Sequence, residues 1–185
     1  PSEYASWDHS YHQSMTQEAV VGSVAGNFDD VTLTAGDWNY RLERRGDEFW
    51  AIIESPDDPS GESAGPRVVE KPIVLTTGSH HYQVYWLPDT KKGVLRAFPF
   101  AFLLDEQKWI PRKAAFLSPP TGPRHEEQAR WNNGCAKCHS LDAKWRPIRP
   151  KTDTQTAELG ISCEACHGPG QEHVRANRDP SRRYA

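Results

Sequence analysis

Cys135-Ala136-Lys137-Cys138-His139 and Cys163-Glu164-Ala165-Cys166-His167 hold all four cysteines of the chain. Each box packs two thiols and an imidazole into one short stretch, and three familiar chemistries use such pairs. A structural zinc site takes four thiolates from two knuckles. The two pairs here enclose 24 residues, longer than the roughly 15–20 of a zinc ribbon, and zinc does not require a histidine behind each second cysteine. A thioredoxin-type redox pair wants a single C-x-x-C opening a helix inside a βαβ unit, and the surroundings do not read that way. A disulfide scaffold explains neither histidine. C-x-x-C-H is the attachment signature of c-type haem. Cysteines three positions apart lie on one side of a helical turn, where their sulfurs reach the two vinyl groups of one porphyrin. The next residue then aims its imidazole at the iron. Cys135, Cys138, His139, Cys163, Cys166 and His167 are therefore the expected cofactor-binding residues of two covalent haems.

Each iron has a second axial face. The candidates are His9, His12, His80, His81, His125, His173 and the lone methionine, Met15. Six spare histidines for two irons favour bis-histidine coordination, which suits electron transfer. Gly168-Pro169-Gly170 predicts a tight turn, after which Gln171-Glu172-His173-Val174-Arg175 starts a short helix. Six residues of chain do not easily reach round a porphyrin, so His173 is expected to serve a neighbouring haem, most simply the one on His139. His80 and His81 read as a loop entering a strand. Adjacent strand residues face opposite ways, so at most one should point at an iron. His125 reads as the exposed first turn of a helix leading to Trp131.

The elements that must position these residues fall into three stretches. Tyr4, Trp7, Tyr11 and Met15 form an apolar stripe at helical spacing, which predicts a helix over 2–17 with His12 beside the stripe. From about 20 to 117 the pattern is strand-like, at 31–34, 38–43, 49–53, 67–75, 81–87, 93–104 and near Trp109. Arg45-Gly46-Asp47 is a hairpin turn, 55–66 a loop, and Pro119–Pro123 a boundary. The expected class is α+β: an antiparallel β-meander or small β-sandwich inserted between an N-terminal helix and a C-terminal loop-and-helix haem segment. The corresponding domains are 1–19, 20–118 and 119–185. The seven tryptophans, among them Trp131 and Trp145, are expected to pack on sheet or porphyrin.

Composition fits a cofactor-built core. Apolar residues make up 36% of the 185, with 15 Pro and 13 Gly, and the mean hydropathy is −0.78. A core of side chains alone would be thin for this length, and two macrocycles supply apolar mass. The net charge of −3, from 22 basic and 25 acidic residues, shows no basic stripe, so nucleic acid is not an expected partner. The apolar run at 97–104 is far too short for a membrane span. The chain starts at Pro1 without a signal peptide, and reads as a processed product or part of something longer.

Trp7-x-x-Ser10-Tyr11-His12, Gly78-Ser79-x-His81-x-x-x-Tyr85, and Glu158 through Cys163-Glu164-Ala165-Cys166-His167-Gly168-Pro169-Gly170-x-x-His173 together resemble bacterial multihaem cytochromes c. In some of these the cytochrome region is followed by tetratricopeptide repeats. The resemblance implies His12, His81 and His173 as metal ligands and favours His81 over His80. In such proteins the segment like Tyr4–His12 follows another C-x-x-C-H box, which implies a further haem in a longer chain.

The function expected is electron transfer between closely spaced, bis-histidine haems, with other redox proteins or haem subunits as partners. Attachment of haem c outside the cytoplasm places the protein in the periplasm or outside the cell. An alternative is a subunit of a multihaem oxidoreductase, for which no stretch supplies an evident proton-donating pocket. Another is a subunit of an extracellular cytochrome assembly, a homo-oligomer or filament.

Overall fold

The computed structural model describes residues 2–55, 67–115, 130–148, 151–179 and 181. His125, the loop at 56–66 and the proline-rich boundary at 119–123 lie outside the described residues. The architecture is α+β, dominated by antiparallel sheets with a few short helices, as the sequence pattern predicts.

Two sheets carry the β region. The first has four strands in sequential order: β2 (Asp29–Ala35), β3 (Trp38–Arg45), β4 (Glu48–Ser55) and β5 (Arg67–Pro72). The β3–β4 hairpin closes on Gly46, at φ +64°, between the paired residues Arg45 and Glu48. Glycine takes that left-handed conformation without steric cost. The second sheet runs in the order β1 (Thr16–Glu18), β6 (Leu75–Thr77), β7 (Tyr82–Pro88), β8 (Leu95–Leu103), β9 (Lys108–Pro111).

The central strands of this second sheet are buried on both faces. On β8, Phe98, Phe100 and Phe102 pack with Tyr85 and Leu87 of β7 against Tyr40, Leu42, Phe49 and Ala51 of the four-stranded sheet. The alternate residues, Ala97 and Ala101 with Val84 and Trp86, pack on the opposite face against Trp131 and Ala136 of the C-terminal segment. Along β8, period-two alternation thus sorts the phenylalanines to one face and the alanines to the other. Pro99 falls where the β7–β8 register shifts, between Val84 and Trp86, a position at which a strand tolerates proline.

Two elements differ from the sequence expectation. The helix over 2–17 is only α1 (Ser2–Asp8), followed by a 3-10 turn at Gln13–Met15 and then β1. Ser10 ends α1, since both its N–H and its hydroxyl donate to the Trp7 carbonyl, a local bond that competes with the helical ladder. The apolar stripe is not buried either, with Tyr4 and Tyr11 exposed. The C-terminal segment also carries strands where loops and helices were expected. β10 (Ser140–Leu141) pairs with β13 (Glu158–Leu159), and β11 (Lys144–Ile148) with β12 (Lys151–Gln155). Pro147 disguises that hairpin in the sequence, because proline argues against a paired strand.

Gln83 crosslinks the β1–β2 connection to β7. Its Nε2 donates to the Ser23 carbonyl at 2.7 Å, and its Oε1 accepts from the Ala25 N–H at 2.8 Å. Replacing it with leucine strands the Ser23 carbonyl in a buried site and removes the acceptor of the Ala25 N–H. Gln83→Leu is expected to lower unfolding stability by about 2 kcal/mol or more in chemical denaturation. An unchanged midpoint and slope would show that this crosslink contributes nothing.

Candidate haem centres

The first box begins in a π-turn. Trp131–Cys135 winds with the Ala136 N–H donating to the Trp131 carbonyl and runs straight into α3 (Ala136–His139). Single π-turns of this kind often mark functional sites. Trp131 is buried against Trp86, ring centroids 5.4 Å apart, and Ala136 is fully buried on the same face. Asn132 fixes the turn from three sides. Its Nδ2 donates to the Gly93 carbonyl (2.9 Å) and the Thr154 hydroxyl (2.7 Å), while its Oδ1 accepts from the Leu95 N–H (2.9 Å). The Ser140 hydroxyl caps the far end by donating to the Ala136 carbonyl.

Cys135, Cys138 and His139 open into a cleft of about 600 Å³, within the roughly 300–1,000 Å³ of cofactor sites. Its floor is Val84, Trp86 and Ala97, and its far wall holds Met15, His80 and His81. No cysteine is in a disulfide. Burial pushes the His139 pKa down, keeping the imidazole in the neutral form that ligates metals. Its Nδ1 is buried with no hydrogen-bond partner. Burial also raises the Cys135 thiol pKa, so the sulfur is held as a neutral thiol. An apolar floor, free thiols and a neutral buried imidazole fit covalent haem.

Both histidines of the far wall line this cleft. They precede β7, which starts at Tyr82, so strand alternation does not separate them. Gly78, at φ +103°, turns the chain where a Cβ would collide with the Tyr82 carbonyl oxygen. The loop is pinned by three hydrogen bonds: Gly78 N–H to the Met15 carbonyl, Ser79 hydroxyl to the Tyr11 carbonyl, and Leu104 N–H to the His81 carbonyl. The rings touch in series: Tyr11 stacks on His80 with centroids 4.2 Å apart, and the His80 and His81 rings lie 4.0 Å apart, tilted by 40°.

The second box is built differently. Cys163, Cys166 and His167 occupy one short helix, α4 (Cys163–His167), and all three are exposed. Gly168, at φ +72°, turns the chain away, and the Gly170 N–H donates to Glu164 Oε1 at 2.8 Å. α5 (Gln171–Asn177) follows, where the sequence predicts it. His173 is exposed on α5 and is not among the residues lining the first cleft. The N-terminal arm instead reaches the second box. Trp7 Nε1 donates to the Ile161 carbonyl, and the Ile161 N–H to the His12 carbonyl, both at 2.8 Å. His12 is exposed, on an open groove of about 520 Å³ shared with Glu3, Ser6, Trp7 and Ser10. His9 turns back on its own helix, its Nδ1 donating to the Ala5 carbonyl.

Residues 108–168, a stretch spanning both boxes, match the family model of cytochrome c554 and c-prime. The match supports a c-type cytochrome, with covalent haem c and haem-based electron transfer. No curated protein and no solved structure matches the chain. No helix among the described residues is long and apolar enough to cross a membrane.

Two contributors escaped the sequence. Arg112, at the start of α2 (Arg112–Ala115), lines the first cleft, and no motif marks it. Tyr11 supports the His80 ring, a contact that only the fold creates. Gly160 is the clamp between the arm and the second box. Its φ is +84°, and a Cβ would collide with the Gln13 carbonyl oxygen. Gly160→Ala is expected to destabilise the protein by about 1–3 kcal/mol, read as a lowered Tm. An unaltered Tm would mean that the arm is not held there.

Proposed function

We propose that this chain is an electron-transfer multihaem cytochrome c, carrying one haem on each box. Haem c supplies one-electron exchange at its iron when bound. The observation that carries the reading is the first cleft, where a C-x-x-C-H box faces two histidines across an apolar floor. Cys135 and Cys138 hold the macrocycle and His139 ligates from the box side. His81 ligates from the far wall, its ring in contact with His80, on which Tyr11 stacks in turn. Cys163, Cys166 and His167 hold the second haem. His12, tied to that box through Ile161, is its second ligand. His173 is then left for a haem other than the one on His139. Bis-histidine ligation leaves no open face for a substrate, which argues for carrier over enzyme. Thioether attachment places the mature chain in the periplasm or outside the cell.

The exposure of Cys163, Cys166, His167 and His173 favours a second, compatible reading. A haem subunit or another copy of the chain covers this face, as in an oligomer or filament. Light scattering of the haem-loaded protein tests it, and a monomer at all concentrations would exclude self-association.

The main test is a denatured mass with optical spectra. Two haem increments and low-spin spectra inert to carbon monoxide and cyanide are expected. His81→Ala should make one haem high-spin and leave the other unchanged. A mass without haem and with bound zinc would overturn the proposal, and a reactive high-spin iron in the wild type would favour the oxidoreductase.

A further inference from the structure

We propose that Arg112 is the fixed charge that raises the reduction potential of the first haem, an inference that rests on the haem reading above. Arg112 follows β9 directly, and α2 packs on β8, the strand that forms part of the cleft floor. Its side chain is partly buried and lines the same cleft as Cys135, Cys138 and His139. Among the described residues lining that cleft it is the one permanently charged side chain, and no carboxylate lines it.

A guanidinium stays protonated at any working pH. Burial pushes its pKa down from the ordinary guanidinium range, and the neighbouring Cys135 partly offsets this. Cys135 would be a neutral thioether once haem is attached, and the guanidinium keeps its charge. The oxidised iron site carries one more positive charge than the reduced one. A fixed cation in a low-dielectric cleft therefore disfavours the oxidised state, and interactions there are far stronger than in water. Bis-histidine ligation alone, without a methionine ligand, gives low potentials. Arg112 offsets part of that, and at one site only, because the second box lies outside this cleft. Its role is to tune the centre, not to react.

The test is potentiometry of the haem-loaded protein with Arg112→Gln, Arg112→Met and Arg112→Lys. Both neutral variants should lower one of the two potentials by a shift of about tenfold or more in the oxidised-to-reduced ratio, about 59 mV for one electron. The other potential should stay put, and the low-spin spectra and haem mass should be unchanged. Arg112→Lys should retain most of the wild-type value. Two neutral variants of different shape are used so that failure of one to fold leaves the other to decide. Unchanged potentials in the neutral variants would refute the role of Arg112 and leave the haem reading intact. A lysine variant shifted as far as glutamine would assign the effect to packing and equally refute it. A wild type without covalent haem would overturn both.

Discussion

Three residue pairs hold the functional parts together: Thr16 with Thr77, Gln17 with Thr76 and Glu18 with Leu75, where β1 adds itself to the edge of the five-stranded sheet. The pairing is short but well buried, since Thr16, Thr76 and Thr77 are all buried and the Trp86 indole donates to the Thr77 hydroxyl. Its consequence lies just beyond its ends. The turn before β1 carries Tyr11, His12 and Met15, and the loop after β6 carries Gly78, His80 and His81. An antiparallel register must bring those two sets side by side. Without it, Tyr11 would not meet His80, Met15 would not reach the cleft, and the arm would not extend to Ile161.

The five-stranded sheet then works as a middle layer. One face closes the aromatic core with the four-stranded sheet, and each fully buried ring there is worth about 1.5–3 kcal/mol of burial. The other face is kept shallow by Ala97 and Ala101, which leaves depth for the C-terminal segment and the cleft. Larger side chains at the alanine positions would fill that depth. The β region is thus the wall against which the first centre is built, as well as a neighbouring fold unit.

What the sequence disclosed follows from how local each signal is. The C-x-x-C-H boxes, the Gly46 hairpin and the Gly168–Gly170 turn each depend on a few adjacent residues, so composition and spacing reveal them. The 2–17 stripe misled because, among the described residues, no neighbouring element buries Tyr4 and Tyr11, which stay exposed, and β pairing of Thr16 onward outweighs local helical spacing. His80 and His81 both line the cleft because they precede the strand, in a loop that a positive-φ glycine opens, so strand alternation does not apply to them. Arg112 and Asn132 had no pattern at all, because their importance comes from contacts with segments 20 or more residues away.

The two boxes share a motif but not an environment, and on the two-haem reading that difference has a direction. His139 is partly buried, desolvated and lines one cleft with Trp86, Val84 and Ala97, whereas Cys163, Cys166 and His167 are exposed. An apolar surround penalises the extra positive charge of an oxidised iron, and water stabilises it. With identical ligand types the buried centre is therefore the better electron acceptor. Arg112 acts in the same sense, since it too opposes the oxidised state at the first box alone. Solvation and fixed charge together make the exposed second box the point where electrons enter and the cleft the point toward which they fall. The Tyr11–His12 segment, bonded to Ile161 on one side and stacked on His80 on the other, holds the spacing between them.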